Sequence, residues 1–436
     1  MSGTVAFTTL GCRLNQADTD ALQRVLETRG FRTVALEAQP DVVVVNTCTV
    51  TARAELSDRR TIRRAARVSP RAKLVVTGCW AQTSPAEVAA FGGVDLVVGN
   101  ADKARLPDLL AGLTHARAPR IEVSDIAGAR VEPLLPPVRR ERARAFVKVQ
   151  DGCQHRCAFC VVPRARGASR SVEPAAVEAH ARALVAAGQV EVVLTGVDLG
   201  HYGADLVPRT TLAALLARLV TIPGLRWLRL SSLLPAYFTG ALLEIVTGSS
   251  VIAPHLHVPL QSGSDRVLRA MRRPYTAAMY RDLVERLASA IPRLGLGADV
   301  IAGFPGETGE DFAATLALVE ALPFSYLHVF PYSSRAGTEA AGRPDRVDAA
   351  TVAERARRLR EVATDKHRRF RAGMLGRVED VLVLEARDRT TRDLVGLTGN
   401  YMEVTFPGPD GLRRGLARVR ITAVEAAASR GRLEEA

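Results

Sequence analysis

Three cysteines, Cys153, Cys157 and Cys160, stand in the run Asp151-Gly152-Cys153-Gln154-His155-Arg156-Cys157-Ala158-Phe159-Cys160, directly after the strand-like segment Ala145-Phe146-Val147-Lys148-Val149. Three thiolates this close can hold one metal centre. Iron–sulfur clusters are bound by soft sulfur ligands, normally four, so a loop offering three leaves one iron of a cubane open to a small molecule. A structural zinc site or a disulfide pair is the plainer alternative. Structural zinc, however, takes a closed set of four ligands, and His155 sits awkwardly between the thiols. The open cluster is the preferred reading.

The other three of the six cysteines, Cys12, Cys48 and Cys79, all precede this motif. Each follows a short strand-like run: Val5 to Leu10, Asp41 to Asn46 and Lys73 to Thr77. Helix-compatible sequence lies between the runs, such as Asp18 to Arg29 with Leu22, Val25 and Leu26 on one face. Such βαβ alternation implies a parallel sheet with right-handed crossovers. Ligands of open parallel sheets bind outside the carboxyl ends of the strands. Thiols delivered at matching points of successive units therefore converge on a second site, unless they are simply buried apolar side chains. Asn15 and Asn46 are candidate donors to sulfur in that site, or helix and turn caps.

From Arg144 to about Phe330, six strand-like segments recur with helix-compatible sequence between them: Ala145–Val149, Val190–Leu194, Trp227–Leu230, His255–Pro259, Ala298–Ile301 and Tyr326–Phe330. Six such units make a partial barrel; a full one has eight, with its site at the carboxyl ends of the strands. The loops there are polar or glycine-rich and supply candidate binding residues, Gly196, Ser231, Gln261 and Gly303, with His201, Ser232 and Tyr332 nearby. Arg164, Arg166 and Arg170 follow the motif as possible anion contacts. A helix rich in arginine, Val352 to Ala372, comes next. The tail, from Arg377 to about Val424, changes to four short alternating strands with turn residues between them, as in a small closed β-barrel of the kind used for oligonucleotides.

The net charge of +13 points to a polyanionic partner, nucleic acid foremost, although only four of the 59 basic residues are lysine, which also reflects coding bias. The longest apolar runs are strand-sized, as in Val42 to Val45, and no basic stretch with an apolar core follows Met1; neither membrane spanning nor export is expected, and the cytoplasm is the default location. Residues 121–143 lose periodicity and gather prolines, Pro133, Pro136 and Pro137, followed by Arg139-Arg140, as a linker does. The expected organisation is α/β: residues 1–120 a parallel α/β domain, 121–143 a linker, 144–373 a partial (β/α)6 barrel and 374–436 a small β-barrel.

The motif C-x₃-C-x-Φ-C, with Phe159 before its last cysteine, resembles the signature of radical S-adenosylmethionine (SAM) enzymes. The three-part layout, with a TRAM-like tail barrel, resembles the methylthiotransferases. Val149 to Cys153, Leu194 to Gly200 and His255 to Asp265 are most similar to members acting on N6-threonylcarbamoyladenosine beside the tRNA anticodon. The resemblance implies two 4Fe-4S clusters and SAM. It places one cluster on Cys153, Cys157 and Cys160, where a radical is made that removes hydrogen from adenine carbon 2. The other, on Cys12, Cys48 and Cys79, delivers sulfur. Phe159 would cover the cluster or pack on adenine. Implied partners are a tRNA anticodon stem-loop and a reductant such as flavodoxin or ferredoxin. Gln154, Arg164 and Leu234 depart from the family pattern and bear on substrate subtype. N6-isopentenyladenosine or a ribosomal-protein aspartate are the alternative substrates; a non-catalytic, metal-containing tRNA-binding protein is the alternative of another class.

Overall fold

The computed structural model describes residues 3–115, 118–128, 142–426 and 428–434. The proline cluster expected as a linker, with Arg139 and Arg140, lies outside them.

The first unit is built on β1 (Gly3–Thr9), α1 (Arg13–Thr28), β2 (Phe31–Thr33), β3 (Val42–Thr47), α2 (Ala52–Val68), β4 (Lys73–Gly78), α3 (Cys79–Thr83), α4 (Pro85–Ala89), β5 (Val94–Val98), α5 (Leu106–Leu110) and β6 (Arg120–Glu122). Its strands form one parallel sheet in the order β2-β1-β3-β4-β5-β6. The valine run of β3 is buried on both faces. Val42 and Val44 pack into one apolar layer with Leu22 and Leu26, while Val43 and Val45 pack into the other with Ile62 and Trp80, as a central parallel strand requires. Three of these strands are expected from the sequence; β2, β5 and β6 are additional. The first and last hold three residues each, too few to carry a period, and β6 crosses the boundary expected at 120.

The second unit opens with β7 (Arg144–Lys148). A small ladder of β8 (Gln150–Asp151) with β9 (Arg170–Ser171) then encloses the motif loop and α6 (Val162–Arg166). Next come α7 (Pro174–Ala186), β10 (Glu191–Thr195), α8 (Leu212–Leu219), β11 (Trp227–Leu230), α9 (Gly240–Gly248), β12 (His255–His257), α10 (Asp265–Ala270), α11 (Ala277–Ala290), β13 (Gly295–Ala302), α12 (Gly309–Ala321), β14 (Tyr326–Pro331) and α13 (Ala349–Ala372). All six expected strands are present. They form two parallel halves, β7-β10-β11 and β12-β13-β14, with Leu233 N donating to His257 O at 3.0 Å between them. Alternation sorts the side chains. Val147, Val192, Leu194, Leu228, Leu230, Leu256, Ala298 and Val300 join the helices in the main core. Their neighbours Arg144, Phe146, Lys148, Glu191, Arg229, His255, His257, Asp299, Tyr326 and His328 take the opposite, inner face.

The tail is a closed barrel, β15 (Val378–Arg387), β16 (Leu394–Thr398), β17 (Glu403–Phe406), β18 (Leu416–Val424) and β19 (Ser429–Leu433), in the order β15-β16-β17-β19-β18. Four strands are expected there; β19 is the fifth. Tyr401, expected inside a strand, instead has φ of 72°, and the strand starts two residues later. Among the described residues no helix is long and apolar enough to cross a membrane.

His180, on α7, is buried, its Nε2 has no partner, and burial followed by the charge of Arg24 pushes it down to about 4. A folded-state value below the unfolded ~6.5 means that its neutral form stabilises the fold above pH 6.5 and that this contribution is lost as pH falls toward 4. His180→Leu should therefore flatten the acid limb of stability, gaining about 2 kcal/mol over the wild type at pH 5 relative to pH 7.5 in urea titrations; parallel pH curves would contradict this.

Candidate active site

The motif loop is shaped by backbone contacts. Gly152 has φ of 74°, and a Cβ there would strike the Ala168 carbonyl oxygen, so only glycine fits. Cys153 N donates to Gly167 O at 3.0 Å, Cys160 N to Cys157 O at 3.1 Å, and Ala158 N to Met271 O at 3.1 Å. Phe159 packs edge-on to Phe304 at 6.5 Å, which in turn meets Tyr332 at 5.7 Å.

Polar groups contact the motif sulfurs. Arg273 Nη1 donates to Cys157 Sγ at 3.3 Å and its Nε to the Tyr275 hydroxyl at 3.0 Å. Cys153 Sγ lies 3.8 Å from the Asp198 carboxylate, which accepts from the Tyr237 hydroxyl at 3.0 Å; His155 Nε2 meets that hydroxyl at 2.9 Å. Arg273, Asp198 and Tyr237 are not singled out from sequence. Arg273 follows a helix more than a hundred residues beyond the motif, and nothing local marks its reach.

Cys12 caps α1, Cys48 follows β3 and Cys79 opens α3. Three adjacent parallel strands thus carry them to one end of the sheet. Cys12 is exposed, whereas Cys48 and Cys79 are buried. At Gly11, φ is 93°, and a Cβ would lie 2.9 Å from Cys48 Sγ, so the first loop closes onto the second cysteine. The side-chain amides of Asn15 and Asn46 donate to oxygen, not to sulfur. Asn15 Nδ2 holds Leu10 O and Thr47 O, each at 2.8 Å, and Asn46 Nδ2 holds Asn15 O at 2.9 Å. A side chain that does reach an amino-terminal sulfur is Asn100, whose Nδ2 is 3.8 Å from Cys79 Sγ and 2.7 Å from Ala165 O.

That last bond crosses between the units, and α6 carries the crossing. Arg166 Nη2 donates to Asn15 Oδ1 at 2.6 Å and to Asp18 at 3.1 Å, while its Nη1 bonds Asp151 at 3.0 Å. Lys103 pairs with Asp18 at 2.8 Å; Lys148 pairs with Asp18 and, at 3.0 Å, with Asp151. All five charged side chains are buried. Burial alone would raise Asp18; Lys103, then Lys148 and Arg166, hold it well below the usual carboxylate range. Arg166 is therefore committed to this network, not free for an anion. Arg164 donates to Ala336 O and Arg170 to Ala168 O and Arg166 O.

Both trios suit a metal centre. All six thiols are free. Burial, followed by the Asp198 carboxylate for Cys153 and by neighbouring thiols for Cys48, pushes these two up to about 12; burial pushes Cys160 to about 11. Such thiols keep their protons until a metal displaces them. Neither trio is among the described groups whose ligand atoms all lie within 4.8 Å of one another. The one described group that does fall within 4.8 Å, His257, Asp299 and His328, is already internally bonded: Asp299 Oδ1 meets His257 Nε2 at 3.0 Å and His328 Nδ1 at 3.2 Å.

Residues 147–319 match the Radical SAM superfamily and residues 4–99 the uncharacterized protein family UPF0004. The chain is 41% identical to threonylcarbamoyladenosine tRNA methylthiotransferase MtaB of Bacillus subtilis, over 96% of this chain and 93% of that one. This chain belongs to the radical SAM tRNA methylthiotransferase family. Aquifex aeolicus MtaB is 39% identical over 93% of this chain and 97% of its own length, and the tRNA-2-methylthio-N(6)-dimethylallyladenosine synthase of Thermobifida fusca is 37% identical over 89% and 79%. The radical SAM methyltransferase TsrM of Kitasatospora setae, at 19% identity, TM-score 0.55 and coverage of 78% of this chain and 75% of that chain, shares the fold. SAM and a 4Fe-4S cluster are the cofactors of this superfamily.

The pocket residues expected from their polar or glycine-rich loops sit at the carboxyl ends of the strands. Gly196 N faces Ser231 Oγ at 3.4 Å. Gln261, with φ of 68°, donates its N–H to Asp299 O at 2.8 Å and accepts from Ile301 N at 2.9 Å. Gly303 N donates to Glu307 Oε1 at 3.0 Å, and Gly303 lines a 480 Å³ cavity with Tyr332 and Val352. Gly196 and Ser231 are brought together directly, while Gly303 packs against Val352 of α13. His201 bonds Ser169.

Because Asp18 faces three buried cations, Asp18→Asn leaves them under-compensated. It should cost about 3–5 kcal/mol in chemical denaturation, against less than about 1 kcal/mol for Asp41→Asn at the exposed Thr4 contact. Equal losses would refute a central role for the network.

Proposed function

We propose that this enzyme methylthiolates carbon 2 of N6-threonylcarbamoyladenosine beside the tRNA anticodon. Cys153, Cys157 and Cys160 hold the SAM-binding 4Fe-4S cluster, and Cys12, Cys48 and Cys79 hold a second one. The observation that carries this reading is the bridge between the trios. Helix α6 begins two residues after Cys160, and its end holds Asn15 through Arg166 and Asn100 through Ala165 O. When bound, the clusters and SAM supply a hydrogen-abstracting radical and the sulfur to be transferred.

The chain's own residues do the positioning. Arg273 donates to Cys157 and orders that thiolate. Asp198, with Tyr237 and His155, forms a hydrogen-bonded wall beside Cys153. Phe159 shields the loop against Phe304. Gly196, Ser231, Gln261 and Gly303 serve as the SAM-side surface. An unactivated aromatic C–H must be opened and trapped by sulfur within contact distance, so two facing sites are what the chemistry demands. The excess of basic charge suits the tRNA anticodon stem-loop. A small reductant such as flavodoxin or ferredoxin supplies electrons, and the cytoplasm is where these meet.

The threonylcarbamoyl substrate rests on the higher identities, 41% and 39% against 37% for the dimethylallyl relative. Nucleoside profiling of tRNA from a deletion strain tests it: the methylthio-threonylcarbamoyl nucleoside should vanish and return on complementation, and its persistence would reject the substrate. Reconstituted anaerobically, the wild type should hold about eight irons. Cys157→Ala should halve that and abolish deoxyadenosine formation, whereas Cys48→Ala should halve it, keep deoxyadenosine formation and lose the methylthio product. A colourless zinc protein with no turnover would instead support a non-catalytic binding role.

A further inference from the structure

The inner face of the barrel is charged and ring-bearing where such barrels are ordinarily filled by branched apolar side chains. At its amino-terminal end the turn joining β16 to β17 enters from the tail barrel and places Tyr401 among residues of both other units. The Tyr401 ring stacks on His255 at 4.3 Å. The guanidinium groups of Arg229, Arg13 and Arg144 lie 5.1, 5.4 and 5.8 Å from its centroid. Arg13 also donates to the Tyr401 hydroxyl.

The charges here do not balance. The inner-face carboxylates are already engaged: Glu191 pairs with Arg229 at 2.9 and 3.0 Å, and Asp299 with His257 and His328. No carboxylate among the described residues pairs with Arg13 or Arg144. Arg144 Nη1 is buried without a partner, and so is His255 Nδ1. Burial, then Arg229 and Arg13, keeps His255 neutral, so it offers a hydrogen bond rather than a third charge. Tyr401 is held in a left-handed backbone conformation that a non-glycine residue adopts at a cost. Arg13 and Arg144 are half-buried, and guanidinium groups so placed, sharing one phenol and no counter-ion, are costly to leave unmatched. A carboxylate meets both of them, with the fork geometry of Arg suited to its two oxygens.

The position matters as much as the charge. Arg13 follows Cys12 directly, so this floor lies within one arginine side chain of the first cysteine of the amino-terminal trio. Carbon 2 and the carbon bearing N6 flank N1 of adenine with their outer bonds diverging, so a base whose carbon 2 is presented to the cysteine sites directs its N6 substituent away from them, free to extend along the barrel. We propose that Arg13 and Arg144, with the Tyr401 hydroxyl, bind the threonyl carboxylate of the N6-threonylcarbamoyl group and so select this substrate over one with an apolar N6 substituent. This deepens, and rests on, the substrate reading given above.

The test uses full-length reconstituted enzyme and three anticodon stem-loops, carrying N6-threonylcarbamoyladenosine, the same nucleoside with its threonyl carboxylate converted to the amide, or unmodified adenosine. Dissociation constants are read by fluorescence anisotropy. Wild type should bind the carboxylate loop about 10- to 100-fold more tightly than the amide loop, the range expected for hydrogen bonds to a charged group. Arg144→Met and, separately, Arg13→Met should each remove most of that ratio while leaving the amide loop bound as before. Equal wild-type binding of carboxylate and amide loops, both tighter than adenosine, would overturn the carboxylate site and spare the substrate reading. Equal binding of all three would overturn both. A variant that weakens carboxylate and amide loops alike would show a structural role and also overturn the site.

Discussion

The placement of the two cysteine trios relative to each other rests first on one buried ionic cluster between the sheet domain and the barrel. Asp18 and Asp151 sit among Lys103, Lys148 and Arg166, with Asp18 and Lys103 from the sheet domain and the rest from the barrel. Desolvating five charges is costly, and the cluster holds only when every partner is present. That all-or-none character fixes a geometry, because a slight sliding of one domain over the other breaks several contacts together. Arg166 extends the cluster to Asn15, whose amide grips the carbonyls of Leu10 and Thr47, just ahead of Cys12 and Cys48. A side chain of the barrel thereby sets the loops of the other domain. The three bases outnumber the two acids, and Cys79 and Cys12 lie within the field of Arg166, so the excess positive charge faces the place where thiolates form.

What the sequence made legible follows from what is local. Strand positions across both α/β units could be read because alternation and β-branched runs repeat over four or more residues, and the cysteines could be placed because each follows its strand within a few residues. Three-residue strands such as Phe31–Thr33 and Arg120–Glu122 carry no such pattern. Long-range polar contacts carry none either. Asn15 looks like a sulfur donor from its distance to Cys12, yet its amide is taken by two carbonyls; Asn100, which does approach Cys79, is 21 residues further on. Arg166 sits beside Arg164 and Arg170 in one basic stretch, and only Asp18 and Asn15, brought to it from the opposite domain, show that it is structural while its neighbours serve backbone carbonyls.

The inner face of the barrel was hidden for a different reason. Arg144-Ala145-Phe146-Val147-Lys148 and His255-Leu256-His257 read as strands from their apolar half, and the other half is easily taken as solvent-facing. In a barrel both faces are enclosed, so those polar residues are interior. Period-two placement of Arg, His, Asp and Tyr across six strands is the signal that marks a polar lumen, and it becomes visible only once the strands are assigned to a barrel and not to a one-sided sheet. Such an interior cannot be sustained for stability alone, because apolar layers would stabilise it more cheaply.

The tail barrel takes part in that interior rather than hanging beside it. Gly295 leaves room for the backbone of Asn400, Arg229 donates to Gly399 O at 2.9 Å, and Asn400 Nδ2 donates to Arg293 O at 3.1 Å. Arg226 pairs with Asp380, and Leu382 shares an apolar contact with Trp227, Ala143 and Ala253. Contacts this varied, polar at the turn and apolar along β15, hold the tail in one orientation relative to the barrel floor. A nucleic acid gripped by the tail would then be held at a fixed distance and angle from the barrel mouth, so that the energy of gripping it would be converted into placement of one nucleotide, which is how remote binding contributes to a reaction at a distant atom.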